Sequence, residues 1–160
     1  MRAVSVVLCM VLCLLLAGCV ASADPFEMLR DDYVATVEGS LHGVKFSAQI
    51  SHESAGEGSL LTVTLYAPTP LNGTTIRRNI DGEVRILCGD LNVMSSEAIW
   101  RDLLFLLSPI ESFNEITVNE SGANVIMGND CRIELSSDGK PCYAQRGDVC
   151  ARIISFEKRA

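Results

Sequence analysis

The chain has 160 residues, with 13 lysines and arginines against 20 aspartates and glutamates, and a net charge of −7. A chain this acidic is a poor candidate for nucleic-acid binding, which needs a cationic surface. Its apolar fraction of 48% supports a buried core and argues against intrinsic disorder. The length fits one domain after a targeting segment.

The first element is an uncharged stretch that follows Arg2 and is most apolar from residue 4 to residue 17. Two interpretations need no special motif. The stretch is long enough for a transmembrane anchor, because roughly 20 apolar residues cross a bilayer. Alternatively, the small residues Ala21-Ser22-Ala23 fit the cleavage site of an ordinary secretory signal.

A third interpretation is favoured, because Leu16-Ala17-Gly18-Cys19 resembles the lipobox of bacterial lipoproteins. The resemblance implies that residues 1–18 are a signal peptide, that Cys19 carries the lipid, and that residues 19–32 form a surface tether before a single domain at 33–160. Two acyl chains give stable anchoring, whereas one does not. We therefore expect a lipid-anchored protein of the cell membrane with its ectodomain on the extracytoplasmic side.

From Tyr33 onward, apolar and polar residues alternate, which predicts half-buried β-strands. Pro68 and Pro70 are excluded from a central strand, so residues 67–73 are predicted to form a crossing segment. The predicted strands after Tyr33 are 44–51, 61–66, 83–88, 91–93, 116–119, 123–127, 131–135, 141–145 and 149–156.

One strong helix is predicted over about residues 96–107. Ser95 or Ser96 can cap its first turn, Glu97 suits the helix dipole, and Pro109 ends it. The residues between them are apolar on nearly all sides, so we expect the surrounding strands to cover the helix. The helical apolar positions are Ile99, Trp100, Leu103, Leu104, Phe105, Leu106 and Leu107.

Three features together resemble the LolA/LolB/LppX-like lipoprotein-carrier superfamily. They are the crossing segment Ala67-Pro68-Thr69-Pro70-Leu71-Asn72-Gly73, the helix at 96–107, and the turn Leu135-Ser136-Ser137-Asp138-Gly139-Lys140-Pro141. The resemblance spans residues 33–157 and implies a mainly β (α+β) fold, in which a curved antiparallel sheet forms an unclosed half-barrel wrapped around the helix. Members of that superfamily bind acyl chains or lipoproteins in an apolar cavity.

The resemblance implies a membrane-anchored envelope lipoprotein that binds an acyl chain or a lipoprotein. Trp100, Leu104, Phe105 and Met127 are the candidate cavity residues, and the alternative is that they fill a packed core. A non-catalytic scaffold or protein-interaction lipoprotein is therefore the second hypothesis. A connected apolar void of roughly 300 Å³ or more would favour ligand binding.

Four cysteines follow the tether. Cys142 and Cys150 flank the turn at 146–148, and we expect them to form a disulfide across one hairpin, whereas Cys88 and Cys131 are interpreted as small buried hydrophobes. The absence of a C-x-x-C motif argues against a metal site. His42 and His52 are interpreted as surface residues. We therefore predict no catalytic residue, metal or cofactor, and no enzymatic activity.

Overall fold

The computed structural model describes residues 25–56, 58–110, 115–120 and 122–159. Cys19 and the predicted signal peptide lie outside these residues. Within the described ranges, eleven strands form one antiparallel sheet that does not close on itself, which confirms the prediction of a mainly β fold. The strands are β1 Tyr33–Leu41, β2 Val44–Ala55, β3 Gly58–Ala67, β4 Thr75–Arg78, β5 Val84–Cys88, β6 Leu91–Ser95, β7 Glu115–Val118, β8 Asn124–Met127, β9 Cys131–Leu135, β10 Pro141–Arg146 and β11 Val149–Lys158.

The sheet consists of two meanders, β1 to β6 and β7 to β11, which are joined where β1 pairs with β11. Strands β6 and β7 follow each other in the chain but form opposite edges of the sheet. The connection between them therefore has to pass from one edge to the other. That connection contains the longer helix, α2 at Glu97–Leu104, while the short helix α1 at Glu27–Arg30 precedes β1.

The inner face of the sheet, defined as the face toward α2, is built from every second strand residue. Ile50, Val63 and Ile133 on this face are buried in one cluster with Leu104 and Leu107 from the α2 connection. The alternation follows from strand geometry, in which successive side chains point to opposite faces.

Small residues line the middle of the inner face where β10, β11 and β1 lie side by side. Ala144 is opposite Ala151, which is opposite Gly39. A Cβ at Gly39 would overlap the carbonyl oxygen of Cys150 on β11. Only glycine therefore fits at this position without moving the neighbouring backbone.

Helix α2 is shorter than the predicted 96–107 and is covered on one side only. Leu103 and Leu104 are buried, whereas Ile99 is 69% exposed. The prediction that strands cover the whole helix is wrong at Ile99, because the single sheet packs against one side of α2 alone. Ser96 occupies the N-cap position but makes no side-chain capping hydrogen bond. No helix in the described residues, including the short 3-10 helix Thr69–Leu71, combines the length and apolarity needed to cross a bilayer.

The segment before β1, predicted as a surface tether up to residue 32, belongs in part to the packed domain. Phe26 and Leu29 are each 1% exposed and join the core cluster. The surface location was predicted from Pro25, Asp31 and Asp32, which are typical of an exposed segment. However, the turn at α1 points the two apolar side chains inward. Phe26 and Leu29 are therefore part of the packed core rather than of an exposed tether.

Candidate functional site

A pocket of about 790 Å³ lies beside α2, within the volume range typical of small-molecule sites. Both helices, both meanders and the segment after α2 contribute to it. Its lining residues are Leu29, Arg30, Tyr33, His52, Ser59, Leu61, Glu97, Arg101, Asp102, Phe105, Ser108, Pro109, Ile110, Asn129, Asp130, Cys131 and Arg146.

One wall of the pocket is a stripe along α2. Glu97, Arg101 and Phe105 are four residues apart and therefore lie on the same side of the helix. Arg78 of β4 fastens this side to the sheet, because its Nε donates a 2.7 Å hydrogen bond to Glu97 Oε2 and its guanidinium lies 5.4 Å from the centroid of the Phe105 ring. The ion pair and the cation–π contact hold the wall in place.

The opposite wall is made where three loops meet. The Gly147 N–H donates a 2.9 Å hydrogen bond to the Asp130 carbonyl, and Arg146 Nη2 donates a 3.2 Å hydrogen bond to the Ser108 carbonyl. A Cβ at Gly147 would overlap the Asp102 carboxylate of α2. Glycine at this turn, with a φ of +53°, therefore lets the β10–β11 hairpin approach the helix.

The floor of the pocket includes an aromatic pair that sequence reasoning did not find. Tyr33 is 1% exposed, and its ring stacks on that of His52 at a centroid distance of 5.5 Å. His52 Nδ1 lies 2.9 Å from the Asp31 carbonyl oxygen, so Nδ1 is the donor. Burial raises the pKa of Tyr33 above its usual range, which keeps the phenol neutral. The interpretation of His52 as a surface residue is wrong, because it is half-buried and lines the pocket.

Of the four predicted cavity residues, the structure brings only Phe105 to this pocket. Leu104 is 1% exposed and belongs to the core. Trp100 is half-buried against that core, and its Nε1 donates a 3.0 Å hydrogen bond to Ser95 Oγ. Met127 is 40% exposed on β8, opposite Glu115. Trp100, Leu104 and Met127 are therefore not among the residues that line this pocket.

Cys142 and Cys150, the predicted disulfide pair, are both free thiols, and the hairpin register does not bring them together. The turn has only two residues, because Arg146 pairs with Val149, and Cys150 is therefore opposite Gln145. Cys142 lies three residues further along β10, roughly 10 Å away at about 3.3 Å per residue. A disulfide requires Cα atoms within about 7 Å of each other.

Each of these thiols has another neighbour. Cys142 Sγ lies 3.4 Å from the Glu134 carbonyl oxygen, and Cys150 Sγ lies 3.2 Å from Ser40 Oγ. The other two described cysteines are also free. Cys88 is exposed, which contradicts its interpretation as buried, while Cys131 is half-buried and lines the pocket. No group of three or more metal-ligating side chains occurs in the part of the chain that the structure describes.

No protein-family model matches the sequence, and the search of curated proteins finds no match. Solved structures resemble the fold. An uncharacterized conserved protein from Thermus thermophilus is 14% identical with a TM-score of 0.55, over 83% of this chain and 82% of that one. MucB is 11% identical with a TM-score of 0.53, over 89% of this chain and 60% of MucB.

A putative outer membrane lipoprotein-sorting protein domain from Vibrio parahaemolyticus is also similar, at 8% identity and a TM-score of 0.45, over 84% of this chain and 92% of that one. At such identities the likeness to the first two structures shows the fold alone, and the third is too distant to add to it.

Proposed function

We propose that this protein is a cell-envelope lipoprotein that binds an apolar ligand, an acyl chain or an acylated protein, in the pocket beside α2. The observation that carries the proposal is the pocket itself. Its volume of about 790 Å³ lies within the roughly 300–1,000 Å³ range of ligand sites, and its lining combines apolar side chains with charged ones such as Glu97, Arg101 and Asp102. Phe105 and Pro109, which line the pocket and are half-buried, supply accessible apolar surface for such a ligand.

In this proposal the sheet curves around α2 as an unclosed half-barrel, and the α2 connection occupies its mouth. The strand order supports this arrangement, because the connection has to pass from the β6 edge to the β7 edge. Leu103, Leu104, Leu106 and Leu107 are buried along this path. The ligand then lies in the pocket beside the helix, and the role of the protein is binding rather than catalysis.

The proposed anchor is a lipid on Cys19, supported by the small residues that precede it in Leu16-Ala17-Gly18-Cys19. Replacing Cys19 with alanine should abolish acylation and either release the protein from the membrane or leave an uncleaved precursor. Mass spectrometry of the membrane and soluble fractions checks this. A processed, membrane-bound Cys19→Ala protein of otherwise unchanged mass would show that the lipobox interpretation is wrong.

Ligand binding is tested by fluorescence titration with the neutral probe N-phenyl-1-naphthylamine. Mass spectrometry identifies any lipid that co-purifies with the native protein. Ser59→Trp places a large side chain in the pocket lining and should weaken probe binding about tenfold or more. The matched control is Ser137→Trp in the exposed turn after β9. If the wild type binds neither the probe nor any co-purified lipid, the proposal fails.

A second candidate function, protein interaction, is favoured by a different observation. The two edge strands carry large apolar side chains that are exposed, among them Leu91 and Met94 on β6 and Ile116 and Val118 on β7. An exposed apolar edge strand is a template for pairing with another chain. If Met94→Lys and Val118→Lys abolish cross-linking to a partner in cells but leave probe binding intact, interaction is a function of these edges.

A further inference from the structure

Two neighbouring polar groups of the pocket make no hydrogen bond within the described part of the chain. Tyr33 on β1 and His52 on β2 are directly opposite each other, and both line the pocket. No described residue bonds to the Tyr33 phenol or to Nε2 of His52. The fully buried side-chain atoms that lack a partner in these ranges belong to Thr74, Arg132 and Arg146 instead. The Tyr33 oxygen and His52 Nε2 are therefore accessible from the pocket that their residues line.

Tyr33 supplies an unused hydrogen-bond donor. Only 1% of the residue is exposed, and its ring packs between those of His52, at 5.5 Å, and Phe156, at 5.1 Å. A buried tyrosine hydroxyl usually finds a partner, because leaving a buried polar group unpaired is costly. Burial raises the pKa of Tyr33 above its usual range, so the phenol keeps its proton and can donate it to an acceptor. A ligand with an acceptor atom at this point would supply the missing bond.

His52 supplies an unused acceptor beside that donor. Its Nδ1 donates a 2.9 Å hydrogen bond to the Asp31 carbonyl oxygen, which places the proton of the neutral imidazole on Nδ1. The other ring nitrogen, Nε2, then has a free lone pair. The backbone of Asp31 therefore fixes the tautomer that makes Nε2 an acceptor.

The charged groups of the pocket do not favour a ligand of either sign, because the lining contains three arginines and three carboxylates. A neutral ligand group that accepts at one atom and donates at the next is complementary to Tyr33 and His52. A carboxamide has this pattern, whereas an ester or a carboxylate has no donor for Nε2. A hydroxyl would have to make both bonds through one oxygen, although the two ring centres are 5.5 Å apart.

We propose that Tyr33 and His52 form a subsite for a neutral carboxamide group of the ligand. The Tyr33 phenol donates a hydrogen bond to the amide carbonyl oxygen, and Nε2 of His52 accepts one from the amide N–H. This inference rests on the proposed binding function and names the polar group that the pocket recognises. Tyr33 provides affinity for any carbonyl ligand, and His52 distinguishes ligands that carry an N–H.

The test compares N-methyloctanamide with N,N-dimethyloctanamide, which has the same chain and carbonyl but no N–H. Isothermal titration calorimetry gives the affinities, with 1-octanol as a third ligand. Tyr33→Phe should weaken both amides about tenfold or more, a factor that corresponds to about 1.4 kcal/mol. His52→Asn retains a side-chain N–H for the Asp31 carbonyl but removes Nε2. It should weaken N-methyloctanamide by a similar factor and leave N,N-dimethyloctanamide unchanged.

Matched controls remove the same groups outside the pocket. Tyr143→Phe on β10 and His42→Asn in the β1–β2 turn should alter none of the affinities. Thermal unfolding separates binding from folding. Tyr33→Phe should be at least as stable as the wild type, because the hydroxyl that it removes has no partner among the described residues. A clear loss of stability in Tyr33→Phe would contradict the proposal, since it would mean that the hydroxyl is already bonded within the protein.

Four binding results would overturn the inference, and they are distinguishable. Unchanged amide affinities in both pocket variants, with N-phenyl-1-naphthylamine still bound, would refute the subsite but leave the binding function intact. An equal loss of both amides in His52→Asn would refute recognition of the N–H. An affinity for 1-octanol that depends on both residues as strongly as that for N-methyloctanamide would assign a hydroxyl subsite instead. A wild type that binds neither the naphthylamine probe nor any of the three ligands would refute the binding function itself.

Discussion

The centre of the sheet and its two edges have the same alternating sequence pattern but opposite burial. On β2, Ala48 and Ile50 are fully buried beneath the α2 connection. On β6, Val93 lies on the same inner face, because Val63, Ile76, Ile86 and Val93 are paired in turn across β3 to β6. Leu91 is two residues away on the same strand and therefore faces the same side. Both side chains are nevertheless exposed. The difference is that α2 and its connection cover the centre and do not reach the edge.

This contrast shows that alternation of apolar and polar residues identifies a strand but does not show whether a second layer of structure packs on it. The apolar side of a strand is buried only where a second layer lies above it, and here that layer is one eight-residue helix with its following turn. Stability should therefore reside in the centre of the sheet and around α1. The pocket and the edges are the proposed sites of contact with other molecules.

The largest expected loss of stability in the packed region comes from Phe26→Ala. Phe26 is 1% exposed in the segment before β1, and truncation of a buried phenylalanine costs about 3–5 kcal/mol. Urea unfolding of the domain measures this, with Glu27→Ala as an exposed control in the same turn. If Phe26→Ala unfolds at the same urea concentration as the control, the segment is a tether rather than part of the domain.

The second expected effect compares the two regions directly. Leu104→Ala in the centre should cost about 2–5 kcal/mol, because it leaves a cavity beneath the helix. Met94→Ala at the β6 edge should change the unfolding free energy by about 0.5 kcal/mol or less, since 66% of Met94 is already exposed. Chemical unfolding of both variants checks the contrast. Equal losses would mean that the β6 edge is packed against something in solution, which would strengthen the protein-interaction candidate.

The sequence was sufficient to predict most of the sheet. Strands β8 to β11 lie within about two residues of their predicted bounds, because turn residues such as Asp138-Gly139 and Gly147-Asp148 mark each hairpin. The short strand β4 was missed, since it follows the proline-rich crossing closely. The predicted Cys142–Cys150 pairing was wrong for a different reason. The two-residue turn sets which residues of β10 and β11 lie opposite each other, and the positions of the cysteines on either side of the turn do not reveal this register.

The candidate site was much less predictable. Phe105 was found because it lies on the one strong helix, but Leu29, His52 and Arg146 come from three distant parts of the chain. Their positions depend on how the two meanders join at β1 and β11, which alternation does not encode. Trp100 and Met127 were assigned to the cavity on apolarity alone, and apolar side chains are also common on the surface of folded proteins.

The smallest expected effect concerns a polar contact between the segment before β1 and the end of β2. The backbone N–H of Ser54, at the end of β2, donates a 2.6 Å hydrogen bond to Asp32 Oδ1, and this bond lowers the pKa of Asp32 below its usual range. Because the folded pKa is below the unfolded value of about 3.9, the contact stabilises the protein fully above that value. The contribution is lost as the pH falls through the folded pKa.

Asp32→Asn should therefore lower stability slightly near neutral pH and make no difference in strong acid, below the folded pKa. Thermal unfolding of wild type and variant across this range measures the effect, with Asp90→Asn in the exposed β5–β6 turn as the control. The effect should be small because the Asp32 carboxylate is accessible to solvent, which screens such contacts. A constant difference between variant and wild type down to the lowest pH would mean that the contribution of Asp32 does not depend on the charge of its carboxylate.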